Sequence, residues 1–106
     1  MLDLKLSIPE AEYITVALLQ QKYDCLNELL SVPRSKEVFG IMLESITKVV
    51  MMIDKIKKGL PSDVILRVIE VENEMSEHIK QNNGTRFLKL LDALMEKIYS
   101  QKEKEI

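Results

Sequence analysis

The fold is decided by residues 35–58, which read SKEVFGIMLESITKVVMMIDKIKK. Apolar residues recur along this stretch at spacings of three and four, the period of one face of an α-helix. That face comprises Val38, Met42, Ile46, Val49, Ile53 and Ile56, with Phe39, Leu43 and Val50 on one flank. Few polar residues, Thr47 among them, remain for solvent. We therefore expect either the most buried helix of a small bundle or the helix through which two copies of the chain meet.

Three apolar residues of the same stretch, Ile41, Met51 and Met52, lie far outside this face. A surface helix of a solitary bundle carries polar or charged residues at such positions. The pattern therefore predicts that something besides the helix's own core contacts covers them.

The composition favours a single all-α domain. The chain has 106 residues, 46% of them hydrophobic and 30% charged, with three glycines, three prolines and no tryptophan. This amount of apolar material is typical of a folded globular protein, and few residues are available for turns or strands. The net charge of −2 comes from interleaved acidic and basic residues, so no basic stripe favours nucleic-acid binding.

Capping and helix-breaking residues mark four helices, at about 8–31, 36–58, 61–82 and 86–102. The helix starts are marked by Ser7 with Glu10 and Pro9, by Ser35, by Pro61 and by Thr85. The helix ends are marked by Val32-Pro33, Lys57-Lys58-Gly59 and Asn82-Asn83-Gly84. Gly59 is a residue able to take the left-handed conformation that closes many helices. The three connections are short, which favours an antiparallel up-down-up-down four-helix bundle.

The periodicity also predicts the inner face of the other three helices. These faces are Ala11, Ile14, Leu18, Cys25 and Leu29 on the first, flanked by Leu19, Leu26 and Leu30, then Val64, Ile65, Val68, Val71, Met75 and Ile79 on the third, and Phe87, Leu88, Leu91, Leu94, Met95 and Ile98 on the fourth. Tyr13, Val16 and Tyr23 lie away from the inner face of the first helix, which indicates a second and shallower contact.

Glu72 lies about 40° from the centre of the third helix's inner face at 100° per residue, so we expect it to be partly buried. An ionised carboxylate is costly to bury alone, and Lys22 and Lys57 occupy comparable positions on the first two helices. We predict a Glu72–Lys pair across the bundle. In the alternative interpretation, the Lys and Glu stems only line the edge of the core.

The third helix carries the one cluster that resembles a chemical site: Glu70, Glu74 and Glu77 with His78, the single histidine. Helical bundles do bind metals through carboxylates. However, the Glu-x-x-His motif of di-iron bundles is absent, because Met75 lies three residues before His78. These acids are expected on the face opposite the core, as an ordinary solvated strip. A metal-dependent all-α enzyme or metal-binding bundle centred on them is the alternative functional class.

Other chemical motifs are missing from the sequence. There is no Gly-rich loop, no Cys-x-x-Cys pair and no aromatic platform, and no cofactor is indicated. Cys25 lies on the predicted inner face, as expected of a structural thiol rather than a nucleophile. The lone cysteine and the absence of a signal peptide favour the cytoplasm. The longest apolar run, residues 49–53, is too short to span a bilayer.

The hairpin predicted between Val64 and Ser100, with its Asn-Asn-Gly turn, resembles the last two helices of flagellar export chaperones of the four-helix type. Such a turn is common between amphipathic helices, so the resemblance assigns no role to any residue.

The surplus of exposed apolar residues favours a protein-interaction module, an adaptor, chaperone-like or regulatory protein, over an enzyme. Six methionines add adaptable apolar surface. A homodimer is the simplest arrangement, because one patch then serves both copies. A groove that receives an amphipathic helix of another protein is the alternative partner arrangement. The candidate interface residues are Ile41, Met51, Met52, Leu66, Tyr13 and Val16.

Overall fold

The structure, a computed structural model, describes residues 7–104, except for the side chains of Asn82 and Lys104. Helix α1 spans Ile8–Ser31, α2 spans Lys36–Lys57 and α3 spans Ser62–Lys104, and no strand occurs within this range. Helix α3 is interrupted at Asn83, whose φ of −144° and ψ of 39° are not helical. The interruption divides α3 into an N-terminal arm, residues 62–82, and a C-terminal arm, residues 84–104. The predicted all-α class with four helical segments is confirmed.

Helix α1 begins and ends where the sequence predicts. The Ser7 hydroxyl accepts a hydrogen bond from the backbone N–H of Glu10, and the Glu10 carboxylate accepts one from the backbone N–H of Ser7, both at 3.3 Å. This capping box satisfies two backbone donors that a helix leaves unpaired. At the other end the Val32 N–H donates to the Glu28 carbonyl, after which Pro33 prevents continuation.

Helix α2 also begins at its predicted cap, because the Ser35 hydroxyl accepts a hydrogen bond from the Val38 N–H. At its end, Gly59 does not use the left-handed conformation that is open to it, since no described residue has a positive φ. Instead the chain tightens into a final turn, in which the Gly59 N–H donates to the Ile56 carbonyl and the Leu60 N–H to the Lys57 carbonyl.

The predicted stop at Asn82-Asn83-Gly84 is reduced to a single residue. Only Asn83 leaves helical geometry, and Gly84 and Thr85 already belong to the helical C-terminal arm, one or two residues before the predicted start at 86. Asparagine favours such a departure because its short amide side chain competes for backbone hydrogen bonds.

The core is rotated relative to the predicted inner faces of two helices. Tyr23, expected away from the core, is buried, whereas Ile14, Leu18 and Cys25 are only half-buried. In the C-terminal arm Leu90 is buried, while Leu88 and Met95, both predicted to be internal, are 54% and 47% exposed.

The interpretation of α2 as the most buried helix is wrong. Four of its residues are buried, against seven in α1. Thr47, expected in solvent, is buried, as is Thr15. The Thr47 hydroxyl donates to the Leu43 carbonyl at 2.8 Å and the Thr15 hydroxyl to the Ala11 carbonyl at 2.7 Å, so neither helix buries an unpaired hydroxyl.

The largest part of the core joins all three helices. It includes Leu19 and Leu26 of α1, Ile46 of α2, and Val68 and Phe87 of α3, each no more than 1% exposed. A smaller cluster of Ala11, Leu60 and Val64 lies at the end of the protein where α1 begins and where α2 connects to α3. Along the described chain, no helix has both the length and the apolar character needed to cross a membrane.

Leu26→Ala should lower the free energy of unfolding by about 2–5 kcal/mol, because it leaves a cavity in a fully buried site. The same truncation at Leu66, which is 62% exposed, should change it by less than about 0.5 kcal/mol. Urea denaturation followed by helical circular dichroism measures both values. Equal losses for the two variants would contradict this description of the core.

Candidate functional site

The carboxylate of Glu72 lies where all three helices meet. Its Oε2 atom is 2.9 Å from Lys22 Nζ of α1 and accepts a hydrogen bond from the Tyr23 hydroxyl at 3.0 Å. Its Oε1 atom is 3.9 Å from Lys57 Nζ at the end of α2. The predicted pairing of Glu72 with a lysine across the bundle is confirmed, and both candidate lysines take part.

This cluster is partly shielded from water. The side chains of Lys22 and Glu72 are 12% and 24% exposed. Burial opposes ionisation of Glu72, but the two nearby lysines and the hydrogen bonds from Lys22 and Tyr23 outweigh it, so its pKa lies below the usual value. For Tyr23, burial and then the charge of Glu72 raise the pKa, which keeps the phenol a donor. Lys22 Nζ also lies 5.0 Å from the Tyr23 ring centroid, within cation–π range.

The geometry of the Glu72 cluster indicates a structural role. Both carboxylate oxygens are already engaged by groups of the chain itself, and no buried side-chain polar atom in the described part of the protein lacks a hydrogen-bond partner. A second cross-helix pair joins Arg67 of α3 to Glu12 of α1 at 2.8 and 3.2 Å. Together the two pairs fasten the N-terminal arm of α3 to α1.

The acidic cluster of the third helix faces solvent. Glu70, Glu74, Glu77 and His78 are all exposed, and Glu74 and His78 line open surface grooves of about 330 and 360 Å³. Within residues 7–104, no three His, Cys, Asp or Glu side chains converge as a metal site requires. The structure therefore gives no support to the alternative of a metal-dependent enzyme.

Cys25 is half-buried and packs against the main core cluster. Burial, followed by the charges of Glu28 and Asp24, raises the pKa of its thiol. A reactive cysteine needs the opposite environment, in which a nearby cation stabilises the thiolate. Its surroundings therefore fit a packing role.

The six candidate interface residues lie on three helices. Ile41 and Met52 of α2 are 64% and 49% exposed and Met51 is half-buried, while Leu66 of α3 and Tyr13 of α1 are 62% and 76% exposed and Val16 is partly exposed. Ile41 and Met52 lie eleven residues apart, which places them within about 20° of each other around α2. The structure thus puts these two side chains on one outward face of one helix.

The C-terminal arm carries a further exposed apolar stripe that was not predicted from the sequence. Leu88, Met95 and Tyr99, spaced seven and four residues apart on the C-terminal arm, are 54%, 47% and 61% exposed. The spacing was a visible signal, but it predicted an internal face for Leu88 and Met95. The core contacts of Leu90 instead rotate this arm so that the stripe faces outward.

Comparison with known proteins gives no relative: no family model, no curated protein and no solved structure matches this chain significantly.

The Glu72 cluster should be strongly coupled. In a double-mutant cycle of Lys22→Met and Glu72→Gln, we expect a coupling energy of about 1–3 kcal/mol, because each single change removes the closest charged contact of a part-buried partner. The matched control is the cycle for Glu12 and Arg67, whose arginine is 55% exposed and whose coupling should be clearly smaller. Chemical denaturation measures both cycles, and the reverse order would contradict the assigned role.

The depressed pKa of Glu72 predicts an acid-dependent contribution to stability. Because its folded-state pKa lies below the usual 4.5, ionised Glu72 stabilises the fold above that pH, and this stabilisation is lost as the pH falls through the folded-state pKa. The difference in unfolding free energy between the native protein and Glu72→Gln should thus be larger at pH 7 than at pH 3. Glu70→Gln, on the exposed side of the same arm, should show little difference at either pH.

Proposed function

We propose that this protein is a small helical interaction module that acts as a homodimer through the outer face of α2. The observation that carries the proposal is the exposure of Ile41 and Met52, 64% and 49%, on one face of a helix whose opposite face lies in the core. Covering such side chains gains about 1 kcal/mol for each half-exposed residue. Two copies related by a two-fold axis would cover both residues twice with one self-complementary surface.

The proposal includes the antiparallel up-down-up-down arrangement of the four helical segments. Contacts between Glu12 and Arg67 and then between Lys22 and Glu72 support a common direction for α1 and the N-terminal arm of α3. The groove that Lys102 shares with Met51 and Lys58 supports a return of the C-terminal arm toward the end of α2.

A cytoplasmic location is also part of the proposal. The described residues include a single cysteine, Cys25, whose surroundings give it a packing role and no intramolecular disulfide partner. A reducing compartment suits such a thiol.

The test is the oligomeric state of the native protein and of the double variant Ile41→Gln/Met52→Gln. In each dimer the variant replaces four covered apolar side chains by glutamine, which weakens the free energy of association by roughly 4 kcal/mol in total. The dimer dissociation constant should therefore rise more than 100-fold. Sedimentation equilibrium over a concentration series measures this change, with circular dichroism to confirm the helical fold.

The matched control is Leu88→Gln. Leu88 is 54% exposed, comparable to Ile41 and Met52, but lies on the C-terminal arm. It should leave the dissociation constant unchanged. A native protein that stays monomeric at high concentration would overturn the proposal, and a Leu88 effect equal to that of the α2 variant would assign the contact to another surface.

A further inference from the structure

The outer face of α2 carries charges in a definite order. Glu37 and Glu44 lie in its N-terminal half and Lys48 and Lys55 in its C-terminal half, and all four side chains are exposed. At 100° per residue they lie on one flank, within about 60° of Ile41. The two charges of α2 that reverse the order, Lys36 and Asp54, lie about 140° from Ile41 and therefore off this face.

These four charges have no ion-pair partner among the residues that the structure describes. Glu44 and Lys48 are four residues apart, the usual spacing for a pair along a helix, yet they are not paired with each other. By contrast, Lys22, Lys57, Arg34 and Arg67 are all engaged by acidic side chains. The outer face of α2 therefore keeps charges of both signs available to another molecule.

We infer that two copies meet through this face with their α2 helices antiparallel, across a two-fold axis close to Ser45. This inference rests on the proposed homodimer and adds its orientation and register. When a two-fold axis is perpendicular to both helices, the helices run in opposite directions and the same flank of each lies on the same side of the interface. The acidic half of one α2 then faces the basic half of the other.

The register follows from three residue pairs whose midpoints along α2 agree to within half a residue. Glu44 opposite the partner's Lys48 and Glu37 opposite the partner's Lys55 both place the axis at position 46, and Ile41 opposite the partner's Met52 places it half a residue further on. The exposed residue beside that centre is Ser45, whose small side chain allows the helices to approach closely.

A parallel pair would lack this charge complementarity. It would set the two acidic halves at one level and the two basic halves at another, with the charged flanks on opposite sides of the interface, so that no glutamate would meet a lysine. Exposed ion pairs add little affinity individually, so the charges select the orientation while Ile41 and Met52 provide the contact. The basic half is extended by Lys58 and Lys102, which border a groove of about 290 Å³ beside Lys55, where three lysines face one acid, Asp54. The partner's Glu37 would approach this region.

Charge reversal tests the pairing. Glu37→Lys/Glu44→Lys makes the face basic throughout and Lys48→Glu/Lys55→Glu makes it acidic throughout, so each should weaken self-association at least 10-fold in sedimentation equilibrium at low salt. An equimolar mixture of the two should associate again, and the fourfold swap should return to within about 3-fold of the native protein. Glu70→Lys/Glu77→Lys changes the net charge equally on an exposed surface of α3 and should leave association unchanged.

Site-specific cross-linking tests the orientation. In a Cys25→Ser background, Ser45→Cys should be linked efficiently by a short bismaleimide, because the two copies lie near the axis. Glu37→Cys should not be linked, because its copies are separated by about 27 Å along antiparallel helices at 1.5 Å per residue. Efficient linking of Glu37→Cys as well as Ser45→Cys would establish a parallel pair, in which every residue lies level with its own copy, and would overturn this inference while leaving the homodimer intact. A native protein that does not associate would overturn both.

Discussion

The carboxylate of Glu72 is the contact on which the relative placement of all three helices depends. An ionised group at a part-buried position must be compensated, and here each helix contributes: α1 through Lys22 and Tyr23, α2 through Lys57, and α3 through Glu72 itself. Apolar packing alone tolerates rotation and sliding of helices, because many rotamers fill similar volumes. A carboxylate with two hydrogen-bond donors on α1 and a further lysine on α2 restricts both motions, so the cluster favours the register in which Leu19, Leu26, Ile46 and Val68 pack.

The placement of Tyr23 shows how this register changes the apolar faces. From periodicity alone, α1 presents Ile14, Leu18 and Cys25 to the core. In the structure Tyr23 turns inward so that its hydroxyl reaches Glu72, and Leu19 and Leu26, predicted to flank the inner face, lie at its centre. The hydroxyl of Thr15 bonds within its own helix, which permits a polar residue on the same buried side.

The outer face of α2 has a different character from the Glu72 cluster. Its charges point to solvent and its two exposed apolar residues are separated by Ser45 and Lys48, so it lacks the continuous apolar surface of an obligate interface. Such a face suits an association in which a few apolar contacts supply affinity and ordered charges supply specificity. The proposed function and the proposed antiparallel pairing both follow from this single surface.

The sequence by itself determined the helical class, the capping residues Ser7 and Ser35 and the position of Ile41 and Met52 outside the core face, and it offered the Glu72–lysine pairing as one of two interpretations. These features depend on local backbone chemistry, on helical period and on the cost of burying one charge, all of which a sequence displays. Only the tertiary structure decided the inward turn of Tyr23, the burial of Thr47, the outward stripe at Leu88 and Met95, and the reduction of the predicted Asn-Asn-Gly stop to one kinked residue. Rotation about a helix axis changes no local interaction within that helix, so its angle is set by what the neighbouring helices offer.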